Sequence, residues 1–249
     1  MKIAVCVKRV PDTAAKLTVG GDRKSISPEG IEFIINPYDE YAIEEALRIR
    51  EKSGSGEVIA LSVDPTGDQT VMRKVLAMGA DRGIVIKGGT NFSGYQTARL
   101  LAGAIKELSC DIVFCGKQAV DDDGLQIPAI LAHLLGMARV NVVTKLEISG
   151  GTATAEREAD GGKEIYRVTL PAIFAAQKGL NDPRYPTLKG IMAAKKKTID
   201  VKEAGACETD LEILALDEPT KRPPGRIVGK GVEAVPELVR LLRQEAKVI

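Results

Sequence analysis

The chain has 249 residues, 44% of them hydrophobic and 28% charged, which is the balance of an ordinary soluble globular protein. Its formal net charge of +1 argues against recruitment of nucleic acid or of an acidic membrane by a global field. The apolar runs are short and interrupted by charge, so neither a transmembrane helix nor a signal peptide is predicted. Four irregularly spaced cysteines predict neither a zinc site nor a disulfide framework, which favours a reduced, cytoplasmic compartment.

The first two-thirds of the chain alternate strand-like runs with amphipathic helices. Strands are predicted over 2–8, 57–63, 82–87 and 111–115, and helices over 68–78, 95–108 and 125–135. This alternation predicts an α/β fold, with a parallel sheet and helices on both of its faces.

One more helix is predicted to begin at Pro37, with Asn36 as its N-cap. Apolar residues recur at i, i+3, i+4 spacing and define its buried face: Ile43, Ala46 and Leu47. The polar residues off that face are Glu44, Glu45 and Arg48.

The pattern changes near residue 140. Strands without intervening helices are predicted over 142–148, 152–158 and 164–170, separated by glycine-rich turns, which indicates an antiparallel extension of the sheet. A Pro- and Gly-rich loop and a short helix over 190–195 follow. Residues 203–231 have little periodicity, and an amphipathic helix is predicted over 236–246. We therefore expect an α/β domain over 1–202 and an arm over 203–249 that packs on another subunit or on its own domain.

No catalytic constellation is evident. His133, the one histidine, lies among leucines, where a packed or surface residue is the commoner role. Neither a G-x-G-x-x-G nor a Walker A motif follows the first predicted strand. The sequence therefore predicts a protein without catalytic residues of its own.

The candidate ligand site follows from the sheet, because ligands of parallel sheets bind beyond the carboxyl ends of the strands. Four places qualify: after Val7, around Asn36, after Val63 and after Cys115. The sharpest motif is GKQAVDDDG, 116–124, at a strand-to-helix junction that can hold a phosphate. Its three consecutive aspartates suit helix caps, ribose ligands or contacts between subunits better than an anion or metal site. Taken alone, the motif could also be a solvated acidic loop.

Several segments, in matching order along nearly the whole chain, resemble the beta subunit of electron transfer flavoproteins: VKRVPD, NPYDEYAIEEALRIRE, LAMGADRG, GKQAVDDD, READGG and LNDPRYPTLKGIMAAKKK. The resemblance implies a Rossmann-like, adenine-nucleotide-binding fold that holds AMP, while FAD lies mainly in a separate alpha subunit. The AMP contacts it implies are Cys6, Asn36, Pro37, Tyr38, Asp39, Val63, Gly116, Lys117, Gln118, Ala119, Val120, Asp121, Asp122, Asp123, Gly124, Leu125, Gln126 and Ile127.

Two departures from the family pattern bear on those contacts. The family commonly has Gln-Thr-Gly or Gln-Val-Gly where this chain has Gln126-Ile127-Pro128, and Pro128 has no N–H. At least one phosphate contact is therefore expected to be weaker or replaced. Thr13 stands where an aromatic often lies beside the flavin, although Tyr38 could supply an aromatic edge.

The resemblance also implies two protein-binding surfaces. Leu188 matches the leucine with which the family's recognition loop docks on acyl-CoA dehydrogenases and related flavoenzymes, and the neighbouring docking residues are Ile191, Met192, Lys195, Lys196 and Lys197. Arg157 and Glu158 match a region that contacts the alpha subunit. Without the resemblance, Leu188 would be read as a buried residue and the lysines as a solvated strand start.

The function implied is that of a non-catalytic electron carrier in a bacterial or archaeal cytoplasm. With its alpha subunit it would pass electrons from such dehydrogenases toward a quinone-linked oxidoreductase. One alternative is an electron-bifurcating relative, in which beta binds a second FAD and the complex oxidises NADH. Asp122, where those relatives tend to have glycine, favours the AMP class. The other alternative is a free-standing adenine-nucleotide binder, for which KRVPD is a poor phosphate loop.

Overall fold

A computed structural model describes residues 1–88, 92–205, 211–221 and 224–249 of the protein. They form two compact units, Met1–Ala215 and Leu216–Ile249. The second contains a 3-10 turn at Val232–Ala234, helix α6 at Val235–Leu241 and a π-helical turn at Leu242–Ala246. Within the predicted irregular stretch, Cys207 and Pro223 lie outside the described residues.

The main sheet of the first unit has nine strands. They are β1 Lys2–Cys6, β4 Glu57–Asp64, β5 Arg82–Lys87, β6 Ile112–Gly116, β7 Ala138–Ser149, β8 Thr152–Ala159, β9 Gly162–Thr169, β10 Ala172–Ala176 and β11 Ile199–Glu203. Two short strands, β2 Arg9–Pro11 and β3 Phe33–Ile35, form a separate antiparallel pair. The order in the main sheet is β11-β5-β4-β1-β6-β10-β7-β8-β9.

Every pairing from β11 across to β7 is parallel, and the two remaining pairings, β7 with β8 and β8 with β9, are antiparallel. The predicted parallel sheet and its antiparallel extension are therefore confirmed. The sequence pattern missed four strands: β2, β3, β10 and β11. The most consequential is β10, whose five residues are all buried between β6 and β7.

Helices cover both faces of this sheet. They are α1 Pro37–Ser53, α2 Thr70–Met78, α3 Gly94–Leu108, α4 Ile127–Leu135 and α5 Leu188–Ala194. Alternate residues of β1 belong to different cores: Ile3 and Val5 pack on the side of α1 and α2, and Ala4 and Cys6 on the side of α3 and α4. Both faces of the strand are thus buried, as its apolar character predicts.

Two local predictions are corrected. Helix α4 begins at Ile127, not at residue 125, because Asp123 and Leu125 have positive φ angles of 48° and 52° that break the helical path. Glu44 and Glu45 of α1 lie off the apolar face, yet both are buried, because the segment before α5 covers them. No helix in the described part of the chain is both long and apolar enough to cross a membrane.

Candidate functional site

A cavity of about 570 Å³ opens at the carboxyl ends of the parallel strands, within the size range of small-ligand sites. It lies where the ends of β1, β4 and β6 meet the beginnings of α3 and α4. Most of the residues predicted to contact a nucleotide line it: Cys6, Asn36, Asp39, Val63, Gly116, Lys117, Gln118, Ala119, Asp122, Gly124, Leu125, Gln126 and Ile127. The predicted residues that are not among its lining are Pro37, Tyr38, Val120, Asp121 and Asp123.

The other lining residues were not among the predicted nucleotide contacts: Val7, Lys8, Pro65, Phe92, Gly94, Thr97, Leu101, Cys115, Pro128, Leu211 and Ile213. Three of them, Gly94, Thr97 and Leu101, belong to α3 and follow one another at i, i+3, i+7. That helical spacing places them on one face. The signal was present in the sequence, but nothing in it showed that this face turns toward the cavity.

Asp39, in the first turn of α1, ties the helix to the segment between β1 and β2 and to the end of β6. Its carboxylate accepts hydrogen bonds from the backbone N–H of Lys8 at 2.7 Å and of Gly116 at 3.0 Å, and from Asn36 Nδ2 at 3.0 Å. Burial raises the pKa of Asp39 to about 7, against the opposing effect of these donors. Asp39 therefore acts mainly on the architecture of the cavity, by holding together the segments that line it.

The predicted N-cap, Asn36, makes no side-chain capping bond to α1. Its amide instead reaches the loop after β6: Nδ2 donates to the Gln118 carbonyl at 2.8 Å, and Oδ1 accepts from the Val120 N–H at 3.1 Å. Asn36 thus donates one hydrogen bond to the loop backbone and accepts another from it. These two bonds fix the position of the loop relative to the beginning of α1.

Gly116, the last residue of β6, has a close-packed environment. A Cβ built there would overlap the Asp39 carboxylate and would lie 2.8 Å from the Cβ of Tyr38. Only glycine fits, because the chain must pass directly over the beginning of α1. The Tyr38 ring lies beside the next residue, with Lys117 Nζ 5.1 Å from its centroid.

The acidic run after Gly116 is partly neutralised by Lys8. The Lys8 ammonium lies 2.8 Å from the Asp121 carboxylate and 3.0 Å from that of Asp122. Burial opposes the charge of Lys8, but the two carboxylates hold its pKa above the ordinary value. Asp123 accepts from the side-chain amide of Gln118. Among the described residues, no group of three or more His, Cys, Asp and Glu side chains is placed to hold a metal.

Two thiols lie at the floor of the cavity, Cys6 from β1 and Cys115 from the neighbouring strand β6. Both are buried and free. A hydrogen bond with Cys6, together with burial, raises the pKa of the Cys115 thiol well above its ordinary value. A neutral thiol is a poor nucleophile, so Cys115 supplies surface to the cavity floor and not reactivity.

The beginning of α4 provides few donors for an anion. Pro128 has no N–H, and the N–H groups of Ala129 and Ile130 both donate to the Gln126 carbonyl at 3.0 Å. Within the part of the chain that the structure describes, the N–H groups of Leu125, Gln126 and Ile127 have no acceptor. Donors for a phosphate therefore lie in the approach to α4 and at its first residue.

The predicted docking residues occupy α5 and the segment after it. Leu188, 79% exposed, is flanked by exposed Ile191 and Met192, and Tyr185 before them is 92% exposed. We call Tyr185, Leu188, Ile191 and Met192 the apolar patch; its tyrosine was not predicted.

The three predicted docking lysines differ in their surroundings. Lys195 and Lys196 are exposed. Lys197 instead donates to the carbonyls of Leu76 and Ala80 at 3.0 and 2.6 Å. Burial lowers the pKa of Lys197, and its ammonium is engaged within the chain at the C-terminal end of α2.

The residues predicted to contact an alpha subunit lie on β8, in the antiparallel extension. Arg157 Nε is 2.7 Å from the Glu164 carboxylate, and its guanidinium lies 5.5 Å from the centre of the Tyr166 ring. Glu158 is exposed. Arg157 is therefore held by its own hairpin, and Glu158 presents a carboxylate to the solvent.

A mainly parallel sheet with helices on both faces and a cavity at its carboxyl edge defines a Rossmann-like α/β protein. The model of the electron transfer flavoprotein domain matches residues 25–206. The chain is 41% identical to the electron transfer flavoprotein subunit beta of Syntrophomonas wolfei, over 96% of this chain and 92% of that protein. It is 38% identical to the subunits beta of Mus musculus and Bacillus subtilis, over its full length and at least 99% of theirs. The chain therefore belongs to the electron transfer flavoprotein subunit beta family.

Proposed function

We propose that this chain is the electron-carrier subunit that binds AMP in the cavity and pairs with an FAD-bearing alpha subunit in the cytoplasm of a bacterium or archaeon. The pair would accept electrons from acyl-CoA dehydrogenase-type flavoenzymes and pass them toward a quinone-linked oxidoreductase. The observation that carries the proposal is the cavity at the carboxyl edge of the sheet, because it gathers most of the residues that a nucleotide was predicted to contact.

The residues present suit an adenine nucleotide. Val63, Leu101 and Ile127 supply apolar lining for a base. The N–H groups of Leu125, Gln126 and Ile127, which have no acceptor among the described residues, supply donors for a phosphate. The loop above them is fixed from below by Asn36 and Asp39. AMP would act there as a structural ligand, and FAD, held mainly by the alpha subunit, would supply the electron chemistry when bound. We assign no catalytic residue to this chain.

Asp122 supports AMP over a second FAD. Its carboxylate accepts from Lys8 Nζ at 3.0 Å and from the Gly124 N–H at 3.0 Å, and it lines the cavity. The two donors stabilise its ionised form and hold its pKa below the ordinary value, although burial opposes this. A fixed negative charge in the wall disfavours a ligand that carries further phosphates beside it.

The test is to purify the chain with its alpha subunit, denature the complex, and quantify the released nucleotides by chromatography. One AMP and one FAD for each heterodimer is the expected result. Two FAD and no AMP would replace the proposal by the bifurcating class. A chain that is stable alone and carries an adenine nucleotide without any partner would indicate a free-standing binder, and no nucleotide at all would contradict every one of these assignments.

A further inference from the structure

The segment that leads into the apolar patch is fastened to α1 by one arginine. Arg184 Nε and Nη2 lie 2.7 and 3.1 Å from the two carboxylate oxygens of Glu44, and its Nη1 and Nη2 lie 2.5 and 3.0 Å from those of Glu51. The backbone N–H of Arg184 also donates to Glu44, at 3.2 Å. A planar guanidinium can donate to both oxygens of each carboxylate, whereas an ammonium, with a single nitrogen, lacks this forked geometry.

We infer that Arg184 is a positioning residue for partner docking: by binding Glu44 and Glu51 it fixes the backbone from which the apolar patch projects. The inference rests on the proposed function, since it concerns the surface at which a partner flavoenzyme would bind. It adds that the geometry of this surface is set by α1, outside the patch itself.

The burial of Glu44 makes this attachment hard to release. Its side chain is only 3% exposed, and a buried carboxylate requires charged or hydrogen-bonding partners. Its partners are Arg184 and Arg48, the latter with Nε at 2.8 Å. If the segment moved away from α1, Glu44 would lose its contacts with Arg184 and would be exposed to water, with Arg48 as its remaining partner. The ion pairs with Glu44 and Glu51 thus favour the attached state without a docking partner.

Asn181 fastens the same segment at a second point. Its Nδ2 donates to Glu45 at 2.9 Å and to the Tyr41 carbonyl at 3.0 Å. Pro183 and Pro186 restrict φ between and beyond the two attachments. The backbone on either side of Arg184 is therefore restricted to few conformations.

On its other side the patch is fixed to α2. Thr187 caps α5 through the Gly190 N–H at 3.0 Å, and a Cβ at Gly190 would overlap the Ala77 carbonyl of α2. Arg73 Nη1 donates to the carbonyls of Ala194 and Lys197 at 2.9 and 2.7 Å. The exposed apolar side chains thus stand on a backbone that is anchored before and after them.

Such anchoring matters for binding because an exposed apolar patch has few contacts of its own to hold its shape. A surface already fixed in its bound geometry loses less conformational entropy when a partner docks. Loosening the anchor should therefore weaken docking while leaving electron transfer within the formed complex unchanged.

The test uses the purified heterodimer and a reduced acyl-CoA dehydrogenase as donor, with rates measured against heterodimer concentration. Arg184→Lys keeps the charge without the planar fork, and Glu51→Ala removes the more exposed carboxylate, so both variants should fold. Arg82→Lys is the control, because Arg82 makes a comparable contact with Glu57 at 2.7 Å between β4 and β5. Hydrogen–deuterium exchange over 181–192 is measured on the free heterodimer.

Both test variants should raise KM about three- to tenfold with kcat unchanged, and should speed exchange over 181–192; the control should do neither. The inference would be overturned if both test variants kept the wild-type KM and exchange rate while Leu188→Ala raised KM. The proposed docking would then still stand. A raised KM without faster exchange would also overturn the inference. If Leu188→Ala itself leaves KM unchanged, the docking proposal fails, and exchange alone then decides whether Arg184 holds the segment.

Discussion

The Asp39 carboxylate accepts a hydrogen bond at 3.0 Å from the backbone N–H of Gly116, which joins the first turn of α1 to the last residue of β6. The two residues are 77 positions apart in the chain. Their contact holds the beginning of α1 against the end of β6, and both residues line the cavity. Several expectations about stability and ligand binding depend on this closeness.

Replacing Gly116 by alanine should damage both the fold and the cavity. The new methyl group would overlap the Asp39 carboxylate, and overpacking of this kind costs about 1–3 kcal/mol. We expect a lower urea midpoint and loss of bound nucleotide from the purified heterodimer. The matched control is Gly103→Ala in α3, where nothing lies within 4 Å of the added carbon, and where alanine should raise stability by about 0.5–1 kcal/mol. Equal behaviour of the two variants would contradict the crowding at Gly116.

The raised pKa of Asp39 predicts a pH dependence of stability. Burial brings its folded pKa to about 7, above the 3.8 of an ordinary aspartate. Between these values the folded state binds more protons, so the free energy of unfolding should fall as pH rises, by roughly 1 kcal/mol per pH unit, and should level off above about pH 7.

Urea unfolding at several pH values between about 4 and 8 checks this, with Asp39→Asn as the test variant. The variant should lose most of the slope in that window because it lacks the titrating carboxyl. Asp22→Asn, in an exposed turn where hydrogen bonds from Lys24 and Ser25 lower the pKa, should keep the slope. A wild-type slope that persists in Asp39→Asn would exclude Asp39 as its source.

Neutralising Lys8 should loosen the loop after β6. Lys8→Gln removes the cation that bridges Asp121 and Asp122 and leaves two carboxylates close together without compensation. The pairs are partly exposed, so the unfolding free energy should change by no more than about 1 kcal/mol. AMP affinity, measured by calorimetry on the nucleotide-free heterodimer, should fall about tenfold, since positive charge is lost beside an anionic ligand. Lys24→Gln, a cation of similar exposure paired with Glu212, should leave affinity unchanged.

Truncation of Leu188 separates docking from stability. Because the side chain is 79% exposed, Leu188→Ala should change the unfolding free energy by less than about 0.5 kcal/mol. If it anchors a partner, the KM for an acyl-CoA dehydrogenase donor should rise about tenfold or more, as for a central interface residue. Leu17→Ala, at another exposed leucine, should leave the KM as it is. A destabilised Leu188→Ala with normal KM would show that the leucine is structural.

Local pattern was sufficient for the elements with strong periodicity and for the position of a cavity at the strand ends. It was insufficient for β10, because a five-residue apolar run after Pro171 cannot be told from a buried helix segment by period. It also misjudged the surroundings of Glu44, whose burial depends on Arg184, 140 residues away in the chain. Contacts between residues so far apart in the chain produce no pattern in the local sequence. The binding of Glu44 by Arg184 and the hydrogen bonds of Asn36 to the loop after β6 therefore could not be predicted from residue spacing.

Strand β10 also has a mechanical consequence. Its five residues, all buried between two parallel neighbours, connect the hairpin that carries Glu158 to the segment that carries Leu188. An extended strand of this length spans roughly 16 Å, and such a central strand does not stretch or bend easily. The strand therefore holds the end of the hairpin and the start of that segment at a fixed separation. If both surfaces bind partners as proposed, we expect motions that change the distance between those partners to arise outside β10.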